Sequence, residues 1–321
     1  MKKSKSAFKK INAIGLFALS LSIGSALAQP AKNPKTVLVT GAASGIGRAT
    51  AIAFVKNGYI TYATDKDTTN MRDLKQMGCR IRYIDVTIDS LMVNRVRSIE
   101  AETGGVDILV NNAGYCQNGV IEELPIATIK KQYDVNVFGV LRMSQLVIPK
   151  MRERKSGRII NIGSAGGDFT TPGASAYTST KYAIESLTDG LRGELRQFGI
   201  EVVLIKPGGV YSNLINTSNK IYPEPMADGT YNEFREKFNK KTNSMFDKSN
   251  KTYGILSSEK VAGVVYKSAR AKKPKTRYRV GALAKITPKL RSMMGDRAFD
   301  KFLLRQFKVS TKKGESIYNN K

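Results

Sequence analysis

The chain contains no histidine and no tryptophan. Without histidine it lacks the most common general base and the most common transition-metal ligand. Its two cysteines, Cys79 and Cys116, do not have the spacing of a metal site, and sequence does not decide whether they pair. Acidic residues are scarce as well: Asp and Glu number 26 against 53 Lys and Arg, a net charge of +27. Any chemistry must therefore rest on Tyr, Lys, Ser, Asn, Asp or Glu, or on a bound cofactor. A basic excess of this size calls for an anionic partner, such as a membrane surface, a nucleic acid or a phosphorylated cofactor.

The chain has 321 residues, of which 41% are hydrophobic. That is enough for one large α/β domain or two small ones, with a sizeable core. The basic charge is uneven. Lys2, Lys3, Lys5, Lys9 and Lys10 precede an uncharged apolar run, Ile11–Ala28, which ends in Ala26-Leu-Ala28 before Gln29. Residues 1–28 read as a signal peptide cleaved after a small-x-small pattern, with an uncleaved N-terminal anchor as the rival. At 18 residues the run is slightly short of the ~20 needed to span a bilayer, which favours the signal.

From Lys35 onward, short apolar strands alternate with helical segments. Strands are expected at 35–40, 60–64, 80–85, 107–111, 158–163 and 201–206. Helices are expected near 45–57, 68–77, 88–102, 125–154 and 175–198. Strands and helices that alternate at regular spacing indicate a doubly wound parallel α/β sheet. Ligands bind such sheets at the carboxyl ends of the strands. Gly41, Asp65, Asp85, Asn111, Ser164 and Pro207-Gly208 all fall there.

Gly41-Ala-Ala-Ser44-Gly45-Ile46-Gly47 follows the first strand and opens an apolar helix. Gly41 permits a tight turn, Gly45 lets a pyrophosphate approach the backbone, and Gly47 lets helix pack on strand. Asp65, at the end of the second strand, can accept hydrogen bonds from both adenosine ribose hydroxyls and would repel a 2′-phosphate. This favours NAD. Lys66 could instead pair with that phosphate, which leaves NADP open. Tyr177 and Lys181 are four residues apart and so share one helix face. An ammonium beside a phenol favours the phenolate and brings it toward the working pH.

Thr40-Gly-Ala-Ala-Ser-Gly-Ile-Gly47, Asp85-Val86, Asn111-Asn-Ala-Gly114, Asn136, Gly163-Ser164, Tyr177-x-x-x-Lys181 and Pro207-Gly208 occur in that order. With this ordered set the chain resembles the short-chain dehydrogenase/reductases over about residues 35–285. Within the family, the segment from Tyr177 to Val210 looks most like the steroid-, retinol- and lipid-alcohol-type members. The resemblance implies a Rossmann-like sheet of about seven strands, with a late strand around 277–280. It implies an NAD(P)-dependent enzyme that interconverts an alcohol and its carbonyl. Tyr177 would be the acid/base, and Lys181 would lower its pKa and hold the nicotinamide ribose. Ser164 would bind the substrate oxygen, and Asn136 would anchor a water in a proton relay. Asp85 and Val86 would contact adenine. Asn112, Ala113, Gly114, Pro207, Gly208, Val210 and Ser212 would line the cofactor. The resemblance also implies a homo-oligomer. The rival from another class is a catalytically idle nucleotide-binding scaffold that uses its basic tail for binding.

Two further regions carry expectations. The segment 212–256 reads as a substrate-binding insertion; its Phe234, Phe238 and Phe246, with the preceding Tyr211, suit a lipophilic alcohol or ketone or form the loop's own small core. Residues 286–321 form a basic amphipathic extension. In it Phe299, Phe302, Leu303 and Phe307 recur at helical spacing, which serves either an interfacial helix on anionic lipid or a lid over the pocket. Nucleic acid is not an expected partner, since no nucleic-acid fold motif is visible.

Overall fold

The computed structural model describes residues 34–211, 218, 221–247 and 254–307. The targeting segment, Ser212 and the end of the basic extension lie outside the described residues. Seven strands form one parallel sheet in the order β3-β2-β1-β4-β5-β6-β7. They are β1 (Thr36–Thr40), β2 (Ile60–Asp65), β3 (Arg80–Tyr83), β4 (Ile108–Asn111), β5 (Gly157–Ile162), β6 (Ile200–Pro207) and β7 (Arg277–Val280). The order reverses between β1 and β4, which creates the crevice where such sheets hold ligands. The expected doubly wound, seven-stranded architecture is the one observed.

Helices cover both faces, so strand side chains of both parities are buried. Val37, Val39, Val110, Ile160, Val203 and Ile205 pack with Phe54 of α1 (Gly45–Val55) and with Val261 and Val265 of α8 (Ser258–Arg270). Leu38, Leu109, Ile159 and Val202 face the other layer. There they meet Val96 of α3 (Asp89–Thr103), Met143 and Val147 of α5 (Gly139–Glu153) and Leu195 of α6 (Ser175–Leu195). Each such fully buried aliphatic side chain contributes roughly 1.5–3 kcal/mol relative to exposure.

Three elements differ from the expectations, each for a local reason. The helix expected over 68–77 shrinks to α2 (Arg72–Gln76), because the Asp67 carboxylate accepts from the Thr69 amide at 3.0 Å and holds a turn. The third strand stops at Tyr83, ahead of a similar turn in which Asp85 accepts from the Thr87 amide at 2.9 Å. The single helix expected over 125–154 is α4 (Ile126–Tyr133) and α5, joined by a wide five-residue turn, Asp134–Phe138. Both cysteines are buried free thiols.

The segment between β6 and α8 contains α7 (Asn232–Phe246). After β7, α9 (Ala282–Met294) runs through the boundary expected at 285 and is followed by α10 (Asp296–Gln306). Phe299, Leu303 and Phe307 are buried. The Phe299 ring meets Phe169 edge-on at 6.2 Å, and Phe307 stacks on Phe238 at 5.7 Å. The apolar face of α10 is therefore turned into the protein, as a lid requires, and is not offered to lipid.

Candidate active site

The glycine turn between β1 and α1 is fixed by sterics. Gly41 has φ +67, in the left-handed region, and a Cβ there would lie 2.7 Å from Ala113 Cα. A Cβ at Gly47 would lie 2.1 Å from the Gly41 oxygen and 2.4 Å from Asn112 Nδ2. The turn thus packs directly on the loop after β4. Asn112 Nδ2 donates to the Thr40 and Gly41 carbonyls at 3.0 and 2.9 Å. The Thr40 hydroxyl accepts from the amides of Asn112 and Ala113 at 3.0 and 3.1 Å. Ser44 flanks the first turn of α1 without capping it with its side chain. This bare cradle of backbone amides at a helix start fits a dinucleotide pyrophosphate.

Asp65 ends β2 beside this turn. Its carboxylate accepts from the amide of Ala43 at 3.0 Å and from that of Asp67 at 3.0 Å. It therefore braces the glycine turn. Asp85 and Val86 follow β3, and Val86 is buried against Gly139, where a Cβ would come within 2.8 Å of it. On the far side Pro207 pairs with Val280, Gly208 donates to the Val280 carbonyl at 2.9 Å, and Val210 bridges to Leu256.

Tyr177 and Lys181 lie in the first two turns of α6, and Ser164 follows β5. Lys181 is buried; its Nζ donates to the Ile162 carbonyl at 3.1 Å and lies 5.7 Å from the centre of the Tyr177 ring. Ser164 Oγ accepts from the Gly166 amide at 3.0 Å, which sets its orientation. Burial pushes the Lys181 ammonium down to about 8. Burial also raises the Tyr177 phenol above its ordinary range; the Cys116 thiol adds to this and a hydrogen bond with Ser164 opposes it. Among the groups that shift the phenol, burial is the largest influence.

The wide turn at Asp134–Phe138 places Asn136. Its Nδ2 donates to the Tyr115 carbonyl at 2.9 Å and to Thr180 Oγ1 at 3.1 Å, and its Oδ1 accepts from the Tyr115 amide at 3.0 Å. Thus Asn136 ties the loop after β4 to α6. Such wide turns recur at functional positions. Cys116 lies in the same loop; burial pushes its thiol up to about 12, so it stays neutral.

Sequence reasoning missed two contributors, and it gave Thr40 no role beyond its place in the motif. Asn161 accepts from Asn111 at 2.9 Å and donates to Thr188 at 2.9 Å, an interlock of β4, β5 and α6 that only the register reveals. Lys206 reads as the polar end of a strand, yet its side chain is fully buried and paired with Asp168 at 2.7 Å and with Glu185.

A family model described as "short chain dehydrogenase" matches residues 35–222. The uncharacterized oxidoreductase YusZ of Bacillus subtilis is 31% identical over 84% of this chain and 98% of its own length. The NADPH-dependent 3-dehydrocapnine reductase of Ornithobacterium rhinotracheale is 31% identical over 85% of this chain and 98% of its own. Among solved structures, a short-chain dehydrogenase from Streptomyces avermitilis superposes with a TM-score of 0.69 at 31% identity, covering 81% of this chain and 94% of that one. Fold, ordered site and sequence agree, and the chain belongs to the short-chain dehydrogenases, oxidoreductases that work with NAD or NADP.

Proposed function

We propose that the protein interconverts a lipophilic ketone and its alcohol, working mainly as a reductase. The observation that carries this reading is the convergence of Tyr177, a buried Lys181 and Ser164 at the carboxyl end of β5, with the Lys181 ammonium 5.7 Å from the Tyr177 ring centre and hydrogen-bonded to the last residue of β5. A nicotinamide dinucleotide bound there supplies or accepts the hydride. Tyr177 donates its proton to the carbonyl oxygen, and Ser164 hydrogen-bonds the same oxygen as charge develops on it. Lys181, with an ammonium brought to about 8, returns a proton to Tyr177. Asn136 serves that relay by fixing α6 to the loop after β4 and by anchoring a water beside Lys181.

The relative from Ornithobacterium, named as an NADPH-dependent reductase of 3-dehydrocapnine, supports the reductive direction. Asp65 supports NAD as the preferred carrier, and the relative's name makes NADPH the competing choice. Phe234, Phe238 and Phe307 pack into a small core of their own with Val120 and Tyr222, so the lipophilic substrate rests on the resemblance alone. The basic excess and the uncharged run Ile11–Ala28 support export or residence at an anionic membrane surface, and membership of the family supports a homo-oligomer.

The test is oxidation of NADH and NADPH with a panel of hydrophobic ketones. Turnover that vanishes in Tyr177→Phe while cofactor fluorescence still reports binding supports the assignment. Binding without turnover across the panel would leave the idle scaffold as the better reading.

A further inference from the structure

The outward face of α9 combines two features that seldom share a surface. Met293 is 84% exposed and Ile286 60%, one on each side of an outward Lys289, with Lys285 alongside. On the opposite side of the helix Ala284 is fully buried. Met293, Lys285 and Lys289 line a surface groove of about 480 Å³ with Arg279 of β7, Pro288 and Ser292. Among the described residues neither Lys285 nor Lys289 forms an ion pair, and Arg279 reaches only Asp168, at 3.4 Å.

We propose that this face of α9, with Arg279 beside it, seats the protein on an anionic lipid surface. Ile286 and Met293 enter the boundary between headgroups and acyl chains, while Lys285, Lys289 and Arg279 meet lipid phosphates. The proposal rests on the membrane residence proposed above and names the surface responsible. It moves the contact from α10, whose Phe299, Leu303 and Phe307 are buried, to the neighbouring helix. An interfacial helix pairs apolar side chains with cations, and this face supplies both, Lys289 lying between Ile286 and Met293 and Lys285 beside them. Other occupants fit less well. A second copy of the chain packed by a two-fold axis would set Lys285 and Lys289 against themselves. A nucleic acid offers phosphates but no apolar phase for Met293.

The inward side of α9 gives the docking a consequence. Arg291 Nη1 donates to the Asp168 carbonyl at 2.9 Å, so α9 leans on the loop that follows Ser164. A lipid-borne ketone would then meet the protein on the side where Arg291 of α9 holds the loop that carries Ser164.

The absence of tryptophan makes the test direct. The full chain carrying Met293→Trp has one tryptophan, on the proposed face. A control carries Met77→Trp, at a position 45% exposed just before β3, the opposite edge of the sheet. Each is mixed with vesicles of phosphatidylcholine alone or with phosphatidylglycerol. Emission of the M293W variant should shift to the blue and be quenched by brominated acyl chains on the anionic vesicles only, while emission of the M77W control stays fixed. Adding Lys285→Gln and Lys289→Gln to M293W should weaken the response about thirtyfold, from ~1 kcal/mol per cation near the surface. If the M293W protein sediments with the vesicles but its emission does not respond, the face is wrong and the membrane reading stands. If it does not sediment, both fail. A blue shift that grows with protein concentration in the absence of lipid would assign the face to a second copy and overturn the proposal. Reduction of a water-soluble ketone, measured without vesicles, keeps the dehydrogenase reading separate from each of these outcomes.

Discussion

Replacing Lys206 by methionine probes the joint between the two arms of the site. Lys206 sits at the end of β6 with a side chain 0% exposed, and its Nζ holds Asp168, 16% exposed, and Glu185, 19% exposed. Asp168 belongs to the loop that carries Ser164, and Glu185 lies one turn beyond Lys181 on α6. Lys206 therefore clamps the serine arm to the tyrosine–lysine arm. Removing one member of a buried ionic cluster typically costs about 3–5 kcal/mol, because the remaining charges lose their compensation. Here Arg277 still pairs with Glu185 and Arg279 still lies 3.4 Å from Asp168, so the lower end applies, about 3 kcal/mol. For a domain of this size that lowers the melting temperature by about 6–12 °C. Reductase turnover should fall as much as about a hundredfold, since misplacing a reacting group by ~1 Å costs that order. Thermal unfolding followed by circular dichroism, with kcat measured well below the transition, reads both effects. Converting Glu185 to methionine as well should cost less than the two single changes added together, because the carboxylate left unpaired is removed. A melting point within a degree or two of the parent, with normal kcat, would refute the clamp.

Further outcomes follow from the same geometry. Tyr177→Phe should lower kcat by roughly 10²–10⁴ with cofactor affinity retained, as stopped-flow fluorescence can separate. Lys181→Met should inactivate the enzyme yet stabilise it at pH 7. Burial lowers the Lys181 pKa from 10.5 to about 8, so between those values the folded protein binds fewer protons than the unfolded chain and stability rises with pH. The destabilisation is present in full below pH 8, and the advantage of the methionine variant, on the order of 3 kcal/mol, should fade as pH climbs from 8 toward 10.5 in urea titrations. Gly47→Ala should abolish nucleotide binding and cost about 1–3 kcal/mol or more, since its Cβ would sit 2.1 Å from the Gly41 oxygen. Asp65→Ala should reduce the NAD-over-NADP preference in kcat/KM, and it should also lower stability because the Ala43 amide loses its acceptor. A variant with unchanged coenzyme preference would remove Asp65 from the ribose site.

Much of the molecule is written in local sequence. Apolar strands alternating with helices specify the doubly wound sheet, because two-sided burial demands continuous apolar strands. The strand expected around 277–280 is β7. The glycine turn and the Tyr177–Lys181 pair are legible because each depends on short-range geometry: a turn that tolerates no Cβ, and the pitch of one helix. What the sequence could not give depends on neighbours distant in the chain. The wide turn holding Asn136 is decided by Tyr115 and Thr180. The raised phenol of Tyr177 is decided by how much protein surrounds it, since desolvation is a property of the packed interior and not of the i, i+4 pair. The amphipathic tail had two faces on paper, and only packing against Phe169 and Phe238 turned α10 inward and left α9 as the exposed one. Lys206 shows the same division. Its sequence position reads as a polar strand end, but its burial between Asp168 and Glu185 exists only once β6, α6 and the loop after β5 have come together.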